Sequence, residues 1–396
     1  MRIGFDARPL LGPRTGVGVW LEGLLGALAS VTNWHFVGFL PRQSALRLDA
    51  VPADRLAVSW PAVPLPGTLW LHTLAARQVV GRADVYLGTL AILPRRLPIP
   101  SVAVLHDLTP RTRAHHHTLA NRFCFNAYLE PSLLDAAAVV CVSQATRERL
   151  AEILPAQARA AVVIPLAVSA AFDAPPPLTR DETRRRFAGG APFIVQLGTL
   201  EPRKGVATLL QAHARWLQRD AAAVDLVLAG GRGWGGRWLE RALACHPAPG
   251  RVHLPGYVSR EEAHALLAHA ELVVLASEEE GFGLPLAEAM ACGAACVASD
   301  APALVEVSGG AAHHFSRGNA AALAAALREA AQPAQRVELQ ARAWARALRW
   351  RWETVAPAWQ SLLADVVKTA AGQGLQELAE QGGNGGGQPR GGRPSR

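Results

Sequence analysis

The chain has 396 residues, half of them hydrophobic and only 18% charged, with a formal net charge of +8. It exceeds the usual single-domain size and has apolar material for two cores, which excludes a largely disordered protein. No run of about 18 apolar residues lacks charge or proline, so no bilayer-crossing helix is expected. The opening MRIGFDARPL meets Asp6 and Arg8 too soon for a secretory signal.

Along the chain, short apolar, β-branched runs alternate with longer Ala/Leu-rich stretches. Strands are expected at Met1–Phe5, His35–Phe39, Val85–Leu87, Ser101–Leu105, Ala138–Val142 and Ala161–Ile164. A second series follows at Phe193–Leu197, Asp225–Ala229, Val252–Leu254, Leu272–Leu275 and Ala295–Ala298. Helices are expected between them, among others at Trp20–Ser30, Leu119–Leu134, Ser143–Ile153, Val206–Arg219, Arg260–His269 and Pro285–Cys292. Strands apolar on both faces, each followed by a helix, imply an α/β protein with covered parallel sheets. Pro175–Pro177, an arginine cluster and Gly189-Gly190 interrupt the series, so 173–190 reads as a linker between domains at 1–172 and 191–349. A last helix within 350–370 is expected to return to the first domain. The Gly/Gln-rich segment 371–396 is expected to be disordered.

The charge is uneven. Residues 1–190 carry 20 arginines against 13 acidic residues, whereas 191–396 carry 20 basic residues against 19 acidic ones. A basic first half suits an anionic membrane surface or a phosphorylated acceptor, or is simply a soluble basic surface. No nucleic-acid-binding signature accompanies the charge. The five cysteines, Cys124, Cys141, Cys245, Cys292 and Cys296, lack zinc-type spacing and read as free thiols of a cytoplasmic protein. Among the 40 basic residues only Lys204 and Lys368 are lysines, which makes the position of each informative.

Ligands of parallel α/β sheets bind beyond the carboxyl ends of the strands, so the loops there are the candidates. Thr15-Gly16-Val17-Gly18 precedes a helix, and its glycines either admit a phosphate or sugar or serve as turn residues. His106 ends a strand, placed to hydrogen-bond a polar ligand or to be a structural histidine beside Asp107. The run His115-His116-His117 reads as an exposed loop, because consecutive residues cannot all face one ion. In Gly198–Gly205 (GTLEPRKG), Arg203 and Lys204 stand at a helix entry and fit a diphosphate, the alternative being a solvated charge pair. In EEEGFGLPLAEAMACG, Gly281 and Gly283 allow tight backbone geometry and Pro285 suits a first helical turn. Glu280 and Glu288 can both reach a ligand at that helix mouth and accept sugar hydroxyls. Stabilisation of the helix dipole accounts for Glu278 and Glu279.

Together GTLEPRKG, LAGGRGWGG, VHLPGYVSREE and EGFGLPLAEAMACG resemble the retaining glycosyltransferases of family 4, and the likeness runs from Arg2 to about Leu363. It includes TGVG, HDL at 106–108, VCVSQATRERL and RWRWETVA. The resemblance implies the GT-B fold, two Rossmann-like domains facing a deep cleft. It also implies transfer of a sugar from a nucleoside diphosphate donor to a glycan or lipid-linked glycan. By the same resemblance, Glu280 would bind the donor sugar, Glu288 the ribose, and Arg203 and Lys204 the diphosphate, with Gly198 in their loop. Backbone at Phe282, Gly283 and Leu284 would serve the donor, and Tyr257 and Val258 would lie against the base. His106 would contact the sugar, and Gly16 and Gly18 would leave room for phosphates. The chain departs from the pattern at Val19-Trp20, at Ala303–Glu306, which lacks a proline before the glutamate, at Gly309-Gly310 and after Pro165.

The EPRK stretch favours mannosyl transfer from GDP-mannose, with a UDP-hexose donor as the alternative. No metal or other cofactor is demanded, because two cations can stabilise the leaving diphosphate. Peripheral attachment to the inner face of a membrane is expected from the basic first half. The rivals are an epimerase, a phosphorylase (whose pyridoxal lysine Lys368 is badly placed to supply) and a non-catalytic scaffold of polysaccharide assembly.

Overall fold

The computed structural model describes residues 1–12, 14–46, 48–108, 119–233 and 238–383. Seven strands form the first sheet: β1 (Arg2–Asp6), β2 (His35–Phe39), β3 (Leu56–Ser59), β4 (Val85–Gly88), β5 (Ser101–Leu105), β6 (Ala138–Cys141) and β7 (Val162–Val163). Six form the second: β8 (Phe193–Leu197), β9 (Asp225–Ala229), β10 (Val252–Gly256), β11 (Leu272–Leu275), β12 (Cys296–Ser299) and β13 (His313–Phe315). Every pairing between these strands is parallel. Two of the four edge strands, β3 and β13, escape a reading by pattern. Each is short and only partly buried, and owes its extended form to the neighbour it pairs with.

The strand orders, 3-2-1-4-5-6-7 and 10-9-8-11-12-13, make two doubly wound sheets. The order in which successive strands are added reverses between β1 and β4 in one and between β8 and β11 in the other. Crossovers leave opposite faces at such a point, and a crevice opens beyond the strand ends. The loops after β1, β8 and β11 therefore reach the cleft because of topology.

The helices that shape the cleft are α1 (Gly16–Val31), α2 (Leu119–Asp135), α3 (Gln144–Ile153), α4 (Arg180–Phe187), α5 (Val206–Arg219), α6 (Arg260–His269), α7 (Leu284–Ala291), α8 (Pro302–Ser308) and α9 (Trp352–Gly383). Helix α4 lies inside 173–190, the segment read as a linker. Thr179 and Glu182 form a capping box that satisfies its first amides, and Arg184 pairs with Glu271 at 2.9 Å. Eight residues beside three prolines are too few for a periodic signal.

The closing helix α9 returns to the first domain. Trp359 is fully buried with its ring centroid 5.7 Å from that of Trp20 on α1. Gly23 on α1 makes room for Trp352, since a Cβ there would lie 2.6 Å from the indole. Helix α9 continues past Ala371 to Gly383, which corrects the expected start of disorder; Leu, Gln, Glu and Ala in LQELAEQ are all good helix formers. The rest of the expected tail, 384–396, lies outside the described residues. One apolar cluster runs through both domains by way of Trp20, Phe282, Trp350 and Trp359, while two others fill the outer halves of the sheets.

Candidate active site

The second domain builds its half of the cleft from two loops joined to one another. After β8, Pro202–Lys204 make a single 3-10 turn that ends at Gly205 in the left-handed region, φ 65°. A Cβ on Gly205 would stand 1.9 Å from the carbonyl oxygen of Ala276, so only glycine lets the β8 and β11 loops touch. Gln196 ties them further, donating to Lys204 O at 3.0 Å and accepting from the Ala276 amide at 3.3 Å. The Glu278 amide donates to Arg203 O at 2.8 Å.

On this platform Lys204, Arg203 and Glu280 meet. Lys204 Nζ donates to Glu280 Oε1 at 2.6 Å, and Ser277 Oγ donates to the same oxygen at 2.7 Å. Arg203 donates from Nε to Glu201 at 2.8 Å, and its Nη1 stands 4.0 Å from Glu280 Oε2. Burial pushes the Glu280 carboxyl up, but Lys204, Arg203 and Ser277 outweigh it and hold the group below the ordinary carboxylate range. Burial works against the Arg203 charge in the same way and is outweighed by Glu280, Glu201 and, from the first domain, Asp107. Two cations and an ionised carboxylate thus occupy one wall of the cleft, all with little exposure.

Gly283, φ 96°, caps α7, and a Cβ on it would lie 2.4 Å from Leu304. Glu288 sits one turn into α7 and is nearly buried; burial drives its carboxyl up to about 7, and Arg260 opposes the shift. Leu284 and Phe282 are buried, Phe282 against the Trp350 ring at 5.4 Å, so these two can serve a ligand only through their backbone. Tyr257 is 58% exposed at the rim, whereas Val258 is in the core.

From the first domain His106 sets its ring edge-on to Trp20, with centroids 4.7 Å apart. Burial lowers its pKa to about 4, against Asp107 and a backbone hydrogen bond with Thr89, and Nε2 is buried without a hydrogen-bond partner. At neutral pH it is an uncharged imidazole, suited to a hydrogen bond and unsuited to be an acid. The two N-terminal glycines differ in function. Gly16 has nothing within 4 Å of a built Cβ, while the corresponding space at Gly18 is filled by Pro9 O at 2.4 Å. Gly16 opens the first turn of α1, and Gly18 allows that turn to pack. His115-His116-His117 lies outside the described residues.

Sequence reasoning missed the supports: Ser277, Gln196 and Glu201 in the second domain, and Ser143, Thr146 and Glu306 where the domains touch. Gly281 marks that contact, since a Cβ there would fall 1.6 Å from His106 O. The sequence carried Ser143 and Thr146 only within VCVSQATRERL and Glu306 only within Ala303–Glu306, with no role attached to any of the three.

Two parallel α/β domains whose switch points face one cleft, with cations and carboxylates in the second, define the GT-B architecture of sugar transferases. The family model for glycosyl transferases group 1 matches residues 179–346, and that for glycosyltransferase family 4 matches 15–172. The chain belongs to these glycosyltransferases. It is 27% identical over 369 residues to the O-antigen chain mannosyltransferase B of Escherichia coli, covering 89% of this chain and 97% of that protein. To the MMP alpha-(1->4)-mannosyltransferase of Mycolicibacterium hassiacum it is 30% identical over 294 residues, 68% of this chain and 66% of the other. Among solved structures, Anabaena HepE with UDP and glucose superposes with a TM-score of 0.72 at 21% identity, covering 92% of this chain and all of that one. Sucrose-phosphate synthase from Thermosynechococcus elongatus gives 0.74 at 19% identity, with 93% and all covered. At such identities the likeness is one of fold.

Proposed function

We propose that the protein transfers a hexose, mannose in the reading favoured here, from a nucleoside diphosphate sugar to a hydroxyl of a glycan or lipid-linked glycan, with retention of anomeric configuration. The observation that carries it is the Lys204–Glu280 contact at 2.6 Å with Arg203 beside it. A diphosphate arriving at these cations competes with Glu280 for Lys204. As Lys204 turns to phosphate, the Glu280 carboxylate is released to accept hydroxyls of the donor sugar. Glu288 accepts from the ribose, Gly16 and Gly198 give the donor room, and neutral His106 bonds the sugar through Nε2. Tyr257 covers the base beside the Val258 backbone, and amides at Phe282–Leu284 complete the cradle.

In the reaction the bond from the anomeric carbon to the diphosphate oxygen breaks, with Arg203 and Lys204 taking up the developing charge. The acceptor oxygen bonds to the same face, and its proton passes to the departing phosphate. The two cations supply the charge stabilisation asked of a divalent ion, and transfer is expected to persist in EDTA. Mannose is favoured because both relatives described above are named mannosyltransferases. A thermal-shift panel of GDP-, UDP-, dTDP- and ADP-sugars tests the reading, since the true donor raises the melting temperature by mass action. GDP-mannose is expected to give the largest shift; a larger one with a UDP-hexose replaces the sugar and base but keeps the mechanism, and no shift with any overturns it. Product formed without acceptor identifies an epimerase instead.

Among the described residues no helix is long and apolar enough to cross a membrane. We propose peripheral attachment of the basic first domain to the inner leaflet, tested by retention on anionic vesicles at low salt.

A further inference from the structure

The donor loop is gripped from the first domain by one helix turn, and this grip does not follow from any donor contact. The carboxylate of Glu306, on α8 of the second domain, accepts from the Gln144 amide at 2.8 Å through one oxygen and from the Ala145 amide at 2.9 Å through the other. These are the first two amides of α3, which have no carbonyl partner within the helix. On the same turn Ser143 Oγ donates to Gly281 O at 2.5 Å and Thr146 Oγ1 donates to that carbonyl at 3.0 Å. One turn further on, Arg149 pairs with Glu279. Ser143, Thr146 and Arg149 thus hold residues 279 and 281 of the second domain, on either side of Glu280, while Glu306 holds the first amides of α3. The contact is close enough that Gly281 has no space for a side chain against His106.

We infer that the first turns of α3 act as an inter-domain latch, and that Ser143, Thr146, Arg149 and Glu306 are positioning residues that set Glu280 against His106. The inference rests on the donor-site reading above for its effect on catalysis, and on hydrogen bonds alone for the latch. A carboxylate on two free helix amides is a charge-assisted pair, favoured also by the positive end of the helix. Opening the cleft exposes both amides and the Glu306 carboxylate to water, so the latch biases the free enzyme toward the closed arrangement. Apart from His106 and the space at Gly16, the proposed donor contacts come from the second domain, so loss of the latch should change donor affinity little. The acceptor-side geometry, and with it kcat, should suffer.

The test uses the full-length protein, with Glu306→Ala, Glu306→Gln and the double variant Ser143→Ala/Thr146→Val. Amide hydrogen exchange at Gln144 and Ala145 reads the latch without turnover. Both amides are expected to be protected in the wild type and to exchange at least about tenfold faster in Glu306→Ala. In the same variant kcat is expected to fall roughly tenfold or more, with the donor KM changed less than about threefold. Glu306→Gln, which keeps one acceptor oxygen, should recover part of both. Free exchange in the wild type overturns the latch; lost protection with kcat within about twofold overturns the positioning role. If Glu306→Ala fails to fold, the Ser143/Thr146 variant poses the same question at Gly281. If the wild type transfers no sugar from any donor, the donor-site reading fails, and amide protection still decides the latch.

Discussion

Replacing Lys204 by methionine removes one charge from a pair in which both partners are nearly buried, with side-chain exposures of 16% and 8%. Breaking a buried pair from one side costs about 3–5 kcal/mol, because the remaining charge loses its compensation. Here Arg203 Nη1 still stands 4.0 Å from Glu280, and Ser277 still donates to it, so a smaller cost of about 2–3 kcal/mol is expected. For a domain of this size that lowers the melting temperature by roughly 5–10 °C. Loss of one preorganised cation at the leaving diphosphate should also lower kcat by about 100- to 1000-fold. The double variant Lys204→Met/Glu280→Gln separates the two effects, because replacing both members of a pair is close to neutral in stability. It should regain most of the melting temperature and none of the activity. The pH dependence gives a further check. The folded Glu280 is held below its ordinary value, so its contribution is present above the unfolded carboxyl value, about 4.3, and is lost as pH falls through the folded one. The deficit of Lys204→Met should therefore narrow as pH falls below about 4. Calorimetry and single-turnover transfer measure both quantities. A variant with unchanged melting temperature and kcat within twofold of wild type would refute the reasoning.

Three other outcomes are expected. Gly205→Ala adds left-handed strain and a clash with Ala276 O, so stability should drop by about 3 kcal/mol or more and donor-induced stabilisation should disappear; a denaturant titration with and without donor checks both. An ionised carboxylate is the stronger acceptor for the ribose hydroxyls proposed for Glu288, and burial pushes this carboxyl up to about 7, so donor affinity should weaken as pH falls from 8 to 6. Glu288→Gln should bind roughly tenfold more weakly with no such slope, by calorimetric titration. His213, fully buried and bonded to Val224 O at 2.8 Å and His246 at 3.2 Å, has its pKa lowered to about 4 by burial. The unfolded imidazole takes its proton first, so stability is expected to decline below about pH 6.5, by on the order of 2–3 kcal/mol near pH 4. Urea midpoints at pH 7.5 and 5 should differ less in His213→Gln.

The sequence by itself determined the architecture, because covered parallel strands must be apolar on both faces and a βα repeat allows little else. It also singled out Arg203, Lys204, Glu280 and Glu288 as candidates, through a lysine in an arginine-rich chain and a Gly-x-Gly-x-Pro frame that dipole stabilisation does not explain. Helix α4 and the strands β3 and β13 were beyond it, being too short for a period and dependent on partners distant in sequence. Only the tertiary structure decided how the site residues are paired. That Lys204 rests on Glu280, 76 residues away, and that Gln196 carries both loops, depends on strand order. The glycines divide in the same way. Gly205 and Gly281 are required by backbone from other segments, Gly18 by Pro9, and Gly16 by no neighbour at all. Glu306 shows the limit most sharply. Its partners lie more than 160 residues away on a helix of the other domain, and no local pattern encodes a contact that exists only when two domains close.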